Sequence, residues 1–128
     1  MTDEMEPKLR YKTAMATMKS RYIPIRTTSC VQMAKGYIFD VYHDFRRYTL
    51  GCVKRGGVWS VTDLATGKAI SRQYHKTRKA ALERFFSGYE FRSWLKIVTN
   101  RDEWFSREER EFSEECERLG YARMDWHD

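Results

Sequence analysis

Asp40, His43 and Asp44 fall within five consecutive residues. Two carboxylates and an imidazole can hold a divalent metal or act as acid and base in hydrolysis. Strand alternation works against this set, because Asp40 and Asp44 share one face of an extended segment while His43 points to the other. His75 and His127 lie far away in sequence. Cys30, Cys52 and Cys116 are odd in number and widely spaced, with no C-x-x-C, so neither a disulfide framework nor a zinc site is expected. A thiol nucleophile needs a lowered pKa and a histidine partner, whereas Cys52 falls on the side of its strand expected to face the core. No G-x-x-x-x-G-K-[ST], H-E-x-x-H or G-x-S-x-G occurs. Gly67-Lys68 lacks both the earlier glycine and the following hydroxyl of a phosphate loop. The expectation is a protein that is not an enzyme and uses no cofactor or metal. A metal-dependent nuclease built on Asp40, His43 and Asp44 ranks third among the readings.

Basic residues give a stronger signal. The 128 residues carry 24 Lys/Arg and 18 Asp/Glu, a net +6, unevenly spread. Residues 1–6 hold three acids and no base. Residues 7–100 hold nineteen bases against Asp40, Asp44, Asp63, Glu83 and Glu90, a net +14. Residues 101–128 hold five arginines against ten acids, a net −5. A cationic body with acidic ends suits a polyanionic partner and exceeds what solubility alone requires. Arg47, Thr49 and Arg55, with Ser60, Thr62, Ser71 and Gln73, alternate away from apolar neighbours and are expected on an outer sheet face. Arginine forks pair with phosphate or guanine edges, and short hydroxyls reach sugar–phosphate oxygens. Arg72, Lys76, Arg78 and Lys79 cluster where the last strand enters a helix, whose N-terminus adds positive charge, and Lys68 lies in the turn before that strand. Those eight, Arg47, Thr49, Arg55, Lys68, Arg72, Lys76, Arg78 and Lys79, form the candidate binding set.

The elements that must position them are legible by period. Residues 37–44 alternate, with Tyr37, Phe39, Val41 and His43 on one face. Residues 47–54 repeat this with Tyr48, Leu50 and Cys52. Gly56-Gly57 marks a tight turn, and a strand over 58–63 points Trp59 and Val61 inward. A second turn at 65–68 leads to a strand over 69–74. Thr77 offers a cap for a helix over 78–87, with Ala81, Leu82 and Phe85 along one side and Gly88 after it. A helix over 89–99 carries Phe91, Trp94, Leu95 and Val98. The spacings Asn100–Glu103 and Ser106–Glu109 fit capping boxes before a last helix over about 107–119, closed by Gly120. That helix docks Phe112 and Leu119 and turns a Glu-rich face outward. A short helix over 9–21 is stopped by Pro24, residues 25–35 are open between strand and loop, and 1–8 form a loose acidic lead. The sum is one α+β domain over 1–128. In it, an antiparallel three- to four-stranded sheet is packed by a helix (37–87), with additional C-terminal helices (89–120).

The segment from Gly56 to Phe85 combines a Trp-bearing strand, a Thr66-Gly67-Lys68 turn, a further strand and a Thr-capped helix opening with basic residues and Ala80-Ala81. Over about fifty residues, 37–87, this resembles the three-stranded-sheet-plus-helix DNA-binding domains at the N-termini of phage-type tyrosine recombinases and in the AP2-like class. The resemblance implies a sheet face docked in the DNA major groove. Trp59, Gly67, Thr77, Ala80, Ala81 and Phe85 would be scaffold, with Arg47, Arg55 and Arg72 as contacts. The two extra helices and the absence of a recombinase catalytic domain depart from that pattern.

No run reaches the roughly 18–20 apolar residues of a membrane span. The start, MTDEMEPK, reads as neither signal nor transit peptide, so a cytoplasmic protein with reduced thiols is expected. The leading functional expectation is a small nucleic-acid-binding accessory protein of mobile-element or phage type, with DNA favoured. The alternative is a phage-type inhibitor or adaptor that binds a nucleic-acid-handling protein complex.

Overall fold

The computed structural model describes residues 6–70 and 75–122. Helix α1 (Glu6–Thr17) leads into strands β1 (Lys19–Arg26), β2 (Val31–His43), β3 (Arg46–Arg55) and β4 (Val58–Thr62), followed by α2 (Arg78–Ser87), α3 (Glu90–Asn100) and α4 (Glu103–Leu119). The strands pair antiparallel in chain order, a meander. The α+β class with additional C-terminal helices is what the chain adopts.

Alternation sets the first layer. Register pairs Phe39 with Leu50, Val41 with Tyr48 and Cys52 with both Tyr37 and Val61, so these side chains share one face. Ala81, Leu82, Phe85 and Phe86 of α2 are buried against that face. The Phe39 and Phe86 rings meet edge-on at 6.1 Å, Phe85 and Phe91 at 5.7 Å, and Tyr48 and Trp94 at 5.6 Å. Each such pair adds about 0.5–1.5 kcal/mol beyond its buried area. Thr77 caps α2 as expected, its hydroxyl accepting the Ala80 N–H at 3.1 Å. Gly56 and Gly57 take φ of 58° and 87° between Arg55 and Val58, the geometry of a hairpin turn with two left-handed centres.

Several expectations are corrected. The first helix begins at Glu6, inside the segment read as a loose lead, and ends at Thr17 rather than near Pro24. Thr17 closes it by accepting the Asp40 N–H at 2.8 Å while donating to the Thr13 carbonyl at 3.0 Å. Pro24 lies within β1 opposite Met33, and as an edge strand β1 tolerates a residue with no N–H. Helix α4 starts at Glu103, because Asp102 is its cap, accepting the Phe105 N–H at 2.8 Å; neither expected capping box is used. Phe112 and Cys116 are buried beneath it while Leu119 is exposed, and Gly120 closes it at φ 76°. Of the strand expected over 69–74, Ala69 bridges Thr62, and the next bridge is His75 with Trp59; residues 71–74 lie outside the described ones.

The largest correction concerns the supposed outer face. Thr49, Ser60 and Thr62 are buried, and so is Val53. Every residue from Tyr48 to Val53 is buried, so β3 is a central strand covered on both sides. On the second side Ile23 and Leu64 converge over Gly51. Alternation had distinguished the two faces of β3 correctly, but polarity did not reveal that Thr and Ser would be covered.

Candidate nucleic-acid interface

The same ladder that builds the core carries a different chemistry at its far end. Register pairs Tyr22 of β1 with Lys35 of β2, and Lys54 of β3 with Trp59 of β4. Lys35 and Lys54 each follow the last β2–β3 rung, Gly36–Val53, and so stand side by side where that ladder stops. A row Tyr22, Lys35, Lys54, Trp59 therefore crosses the sheet on the face that holds the core further along. Both lysines are exposed, and Tyr22 is 66% exposed.

Two rungs inward, on the same face, the Tyr37 ring lies 5.9 Å from that of Trp59. The Arg78 guanidinium stacks 3.9 Å above Tyr37 and donates to the Met18 sulfur at 3.2 Å. Beneath it, burial pushes the Cys52 thiol up to about 12, against the pull of Arg78. Cys52 is thus a packing residue and not a nucleophile. The His75 backbone exchanges hydrogen bonds with Trp59 at 2.6 and 3.0 Å, which brings the start of α2 beside the row. The first turn of α2 contains no acid, and Lys76 and Lys79 flank Arg78 there in exposed positions. Lys79 approaches Glu83 only at 3.9 Å on the surface, a pair of little energetic weight.

Electrostatically the patch is one-sided. The four strands contain a single acid, Asp40, which lies on the opposite face and accepts the Thr49 hydroxyl at 2.8 Å. Among the described residues, no ion pair engages Lys35, Lys54 or Lys76. Adjacent like charges across strands cost stability. Flat rings on either side of the lysines offer stacking surfaces, the combination that suits a phosphate backbone and its bases.

The eight sequence-derived candidates divide. Lys76, Arg78 and Lys79 come together beside the row. Arg47 is exposed seven residues up β3 from Lys54, about 23 Å away at the strand rise. Arg55 is half-buried and acts as a staple, donating to the Arg26 carbonyl at 3.1 Å, the Gly67 carbonyl at 3.1 Å and the Thr62 hydroxyl at 3.2 Å. Gly67 sustains this at φ 72°, where a Cβ would lie 2.5 Å from the Phe112 ring. Thr49 is buried, and Arg72 lies outside the described residues. Lys68 pairs with Glu108 at 3.2 Å and sits 5.3 Å from the Trp104 ring. Sequence reasoning missed Tyr22, Lys35 and Lys54 because they continue the core face. The signal was present: stepping by two from Tyr37 and from Cys52 past the apolar run reaches a lysine each time.

Lys68 marks the mouth of a cavity of about 510 Å³ between α3 and the 63–70 segment, with Trp94, Trp104, Tyr89, Asp63 and Glu90 among its walls. Asp63 anchors that segment, accepting from the Thr66 N–H at 3.1 Å, the Thr66 hydroxyl at 2.7 Å and the Trp94 indole N–H at 3.2 Å. Burial raises its pKa, and those hydrogen bonds only partly offset the rise.

Asp40, His43 and Asp44 do not converge. Asp40 is bound to Thr49, Asp44 is in the β2–β3 turn, and no three His, Cys, Asp or Glu side chains gather into a metal-sized group among the described residues. None of the described helices is long and apolar enough to cross a membrane. Comparison with protein-family models, curated proteins and solved structures finds no match for this chain.

Proposed function

We propose that this chain is a small, non-enzymatic nucleic-acid-binding protein, with DNA the favoured polymer, that grips the phosphate backbone with the Tyr22–Lys35–Lys54–Trp59 row and the basic start of α2. The observation that carries this reading is the juxtaposition of the exposed Lys35 and Lys54 between the exposed Tyr22 ring and the half-buried Trp59 ring, with no carboxylate on that face of the four strands. Phosphates would relieve the repulsion, the α2 N-terminus would favour the same anions, and the rings would take unpaired or frayed bases. An electrophoretic shift with duplex DNA, single-stranded DNA and RNA at two salt concentrations tests it. Binding that weakens steeply with salt and is lost on Lys35→Glu/Lys54→Glu is expected. Absence of binding at low salt would sink it.

The rim of the α3–α4 cavity favours a second reading. Tyr89, Ile97 and Trp104 are exposed there and make an apolar edge, with Lys68 over the Trp104 ring. It suits an inhibitor or adaptor docked on a nucleic-acid-handling protein. A stoichiometric complex that survives nuclease and is abolished by Trp104→Ala would replace the first reading.

A further inference from the structure

The β1 ladder reaches β2 only as far as Ile38, and the β4 ladder reaches β3 only as far as Gly51. The five rungs from Phe39–Leu50 to His43–Arg46 therefore form a two-stranded arm. Its base is locked down, since Phe39, Val41, Tyr48 and Leu50 are buried. Its end stands clear: Tyr42 is 55% exposed, Arg46 and Arg47 are exposed, and Phe45 is fully exposed.

The turn at that end is unusual in composition. Asp44 and Phe45 occupy its two central positions at φ of 53° and 63°. Glycine or asparagine fills such positions with least strain, and a bulky ring fills them badly. The Gly56-Gly57 turn at the other end of β3 shows the same geometry with the favoured residues. Phe45 thus sits in a conformation it disfavours with its ring fully exposed, so burial does not account for it. Two arginines follow it in sequence. Arg46 and Arg47 adjoin the turn, and a cleft beside the arm is lined by His43, Arg92 and Lys96, with Asp44 the one acid in the turn.

We infer that the β2–β3 arm is a wedge for duplex DNA: the ribbon enters a groove, Arg46 and Arg47 meet the flanking phosphates, and Phe45 inserts between base pairs and bends the helix. A two-stranded ribbon fits a groove of B-DNA, and apolar side chains flanked by cations unstack base steps in this way. The inference rests on the nucleic-acid reading above.

The test uses a short mixed-sequence duplex carrying donor and acceptor dyes at its ends, with wild-type protein, Phe45→Asn and Phe45→Trp. Asparagine suits the turn, so Phe45→Asn should raise the melting temperature by about 2–4 °C. It should also abolish the change in energy transfer and weaken duplex binding about tenfold. Phe45→Trp should keep the bend. Wild-type protein that binds the duplex without bending it, a bend kept by Phe45→Asn, or a bend lost equally from Phe45→Trp would overturn the wedge while leaving salt-dependent binding by the row intact. Wild-type protein that does not bind at low salt would overturn both.

Discussion

Replacing Lys35 and Lys54 together by glutamine separates a nucleic-acid interface from a merely solvated sheet end. Five cations gather at that end: Lys35, Lys54, Lys76, Arg78 and Lys79. If each meets a phosphate, counterion release gives a duplex affinity that falls with a log–log salt slope of about −4.5. Raising salt from about 50 to 200 mM then weakens wild-type binding about 500-fold. Removal of two contacts leaves a slope of about −2.7 and a loss of only about 40-fold over the same range. The fold should not suffer. The two ammonium groups are neighbours on one face, and relieving like-charge repulsion across strands is worth about 0.2–1 kcal/mol in favour of the variant. Fluorescence anisotropy across a salt series, with a thermal melt of each protein, reads both quantities. A variant with the wild-type slope and lower affinity would refute the reasoning, as would one whose binding loss follows a lowered melting temperature.

Arg55→Met should behave in the opposite way, since it deprives the Arg26 and Gly67 carbonyls of their guanidinium donor; a loss of about 1–3 kcal/mol in urea unfolding is expected, with duplex affinity per folded molecule unchanged. Asp63→Asn probes the buried carboxyl. Its folded pKa is raised above the ordinary 3.8 by burial, so the folded state holds that proton more tightly and wild-type stability declines as pH rises through the window from 3.8 to the raised value. The stability of Asp63→Asn relative to wild type should therefore improve between pH 4 and pH 7, and a difference that is flat with pH would contradict the burial argument. Thiol titration of the native protein at pH 8 should find one reactive group, the exposed Cys30, because Cys52 and Cys116 are buried and the Cys52 thiol is held at about 12; unfolding in denaturant should release all three.

Periodicity made the central hairpins and α2–α3 legible in the sequence, because Phe39, Val41, Leu50 and Phe85 obey periods of 2 and 3.6 without competition. It failed at β1, where Pro24 reads as a breaker and Lys19-Ser20-Arg21 as the end of a helix, although Ile23 and Ile25 alternate. Only pairing with β2 makes this segment a strand. The site was half legible for a related reason. Lys76, Arg78 and Lys79 are adjacent in sequence and adjacent in space. Lys35 and Lys54 are nineteen residues apart, joined only by the register of two strands. Arg55 and Thr49 read as solvent-facing because a polar side chain on an alternating strand usually is; here Arg55 turns to the Arg26 and Gly67 carbonyls, and the buried Thr49 hydroxyl donates to Asp40.

The acidic helix α4 bears on whether the cationic face is available at all, since a net −5 segment within the same chain could neutralise it. The observed contacts argue against that. Much of the acidity is engaged locally: Glu109 takes Arg101 at 2.8 Å, Glu115 binds Arg118, and Glu108 holds Lys68 at 3.2 Å. Arg118, with a smaller pull from Arg26, keeps the Glu115 carboxyl below its usual range. Glu111 and Glu115 line a cleft against the β1–β2 turn, where α4 buries Phe112 and Cys116 beside Val31. Lys35 lies four residues further along β2, about 13 Å from Val31 at the strand rise, beyond the reach of a glutamate ion pair. Self-shielding would require α4 to pull Phe112 away from the Gly67 turn it packs against. The Glu111 and Glu115 face of α4 is therefore held against the β1–β2 turn, and Lys35 and Lys54 stand exposed beyond its reach.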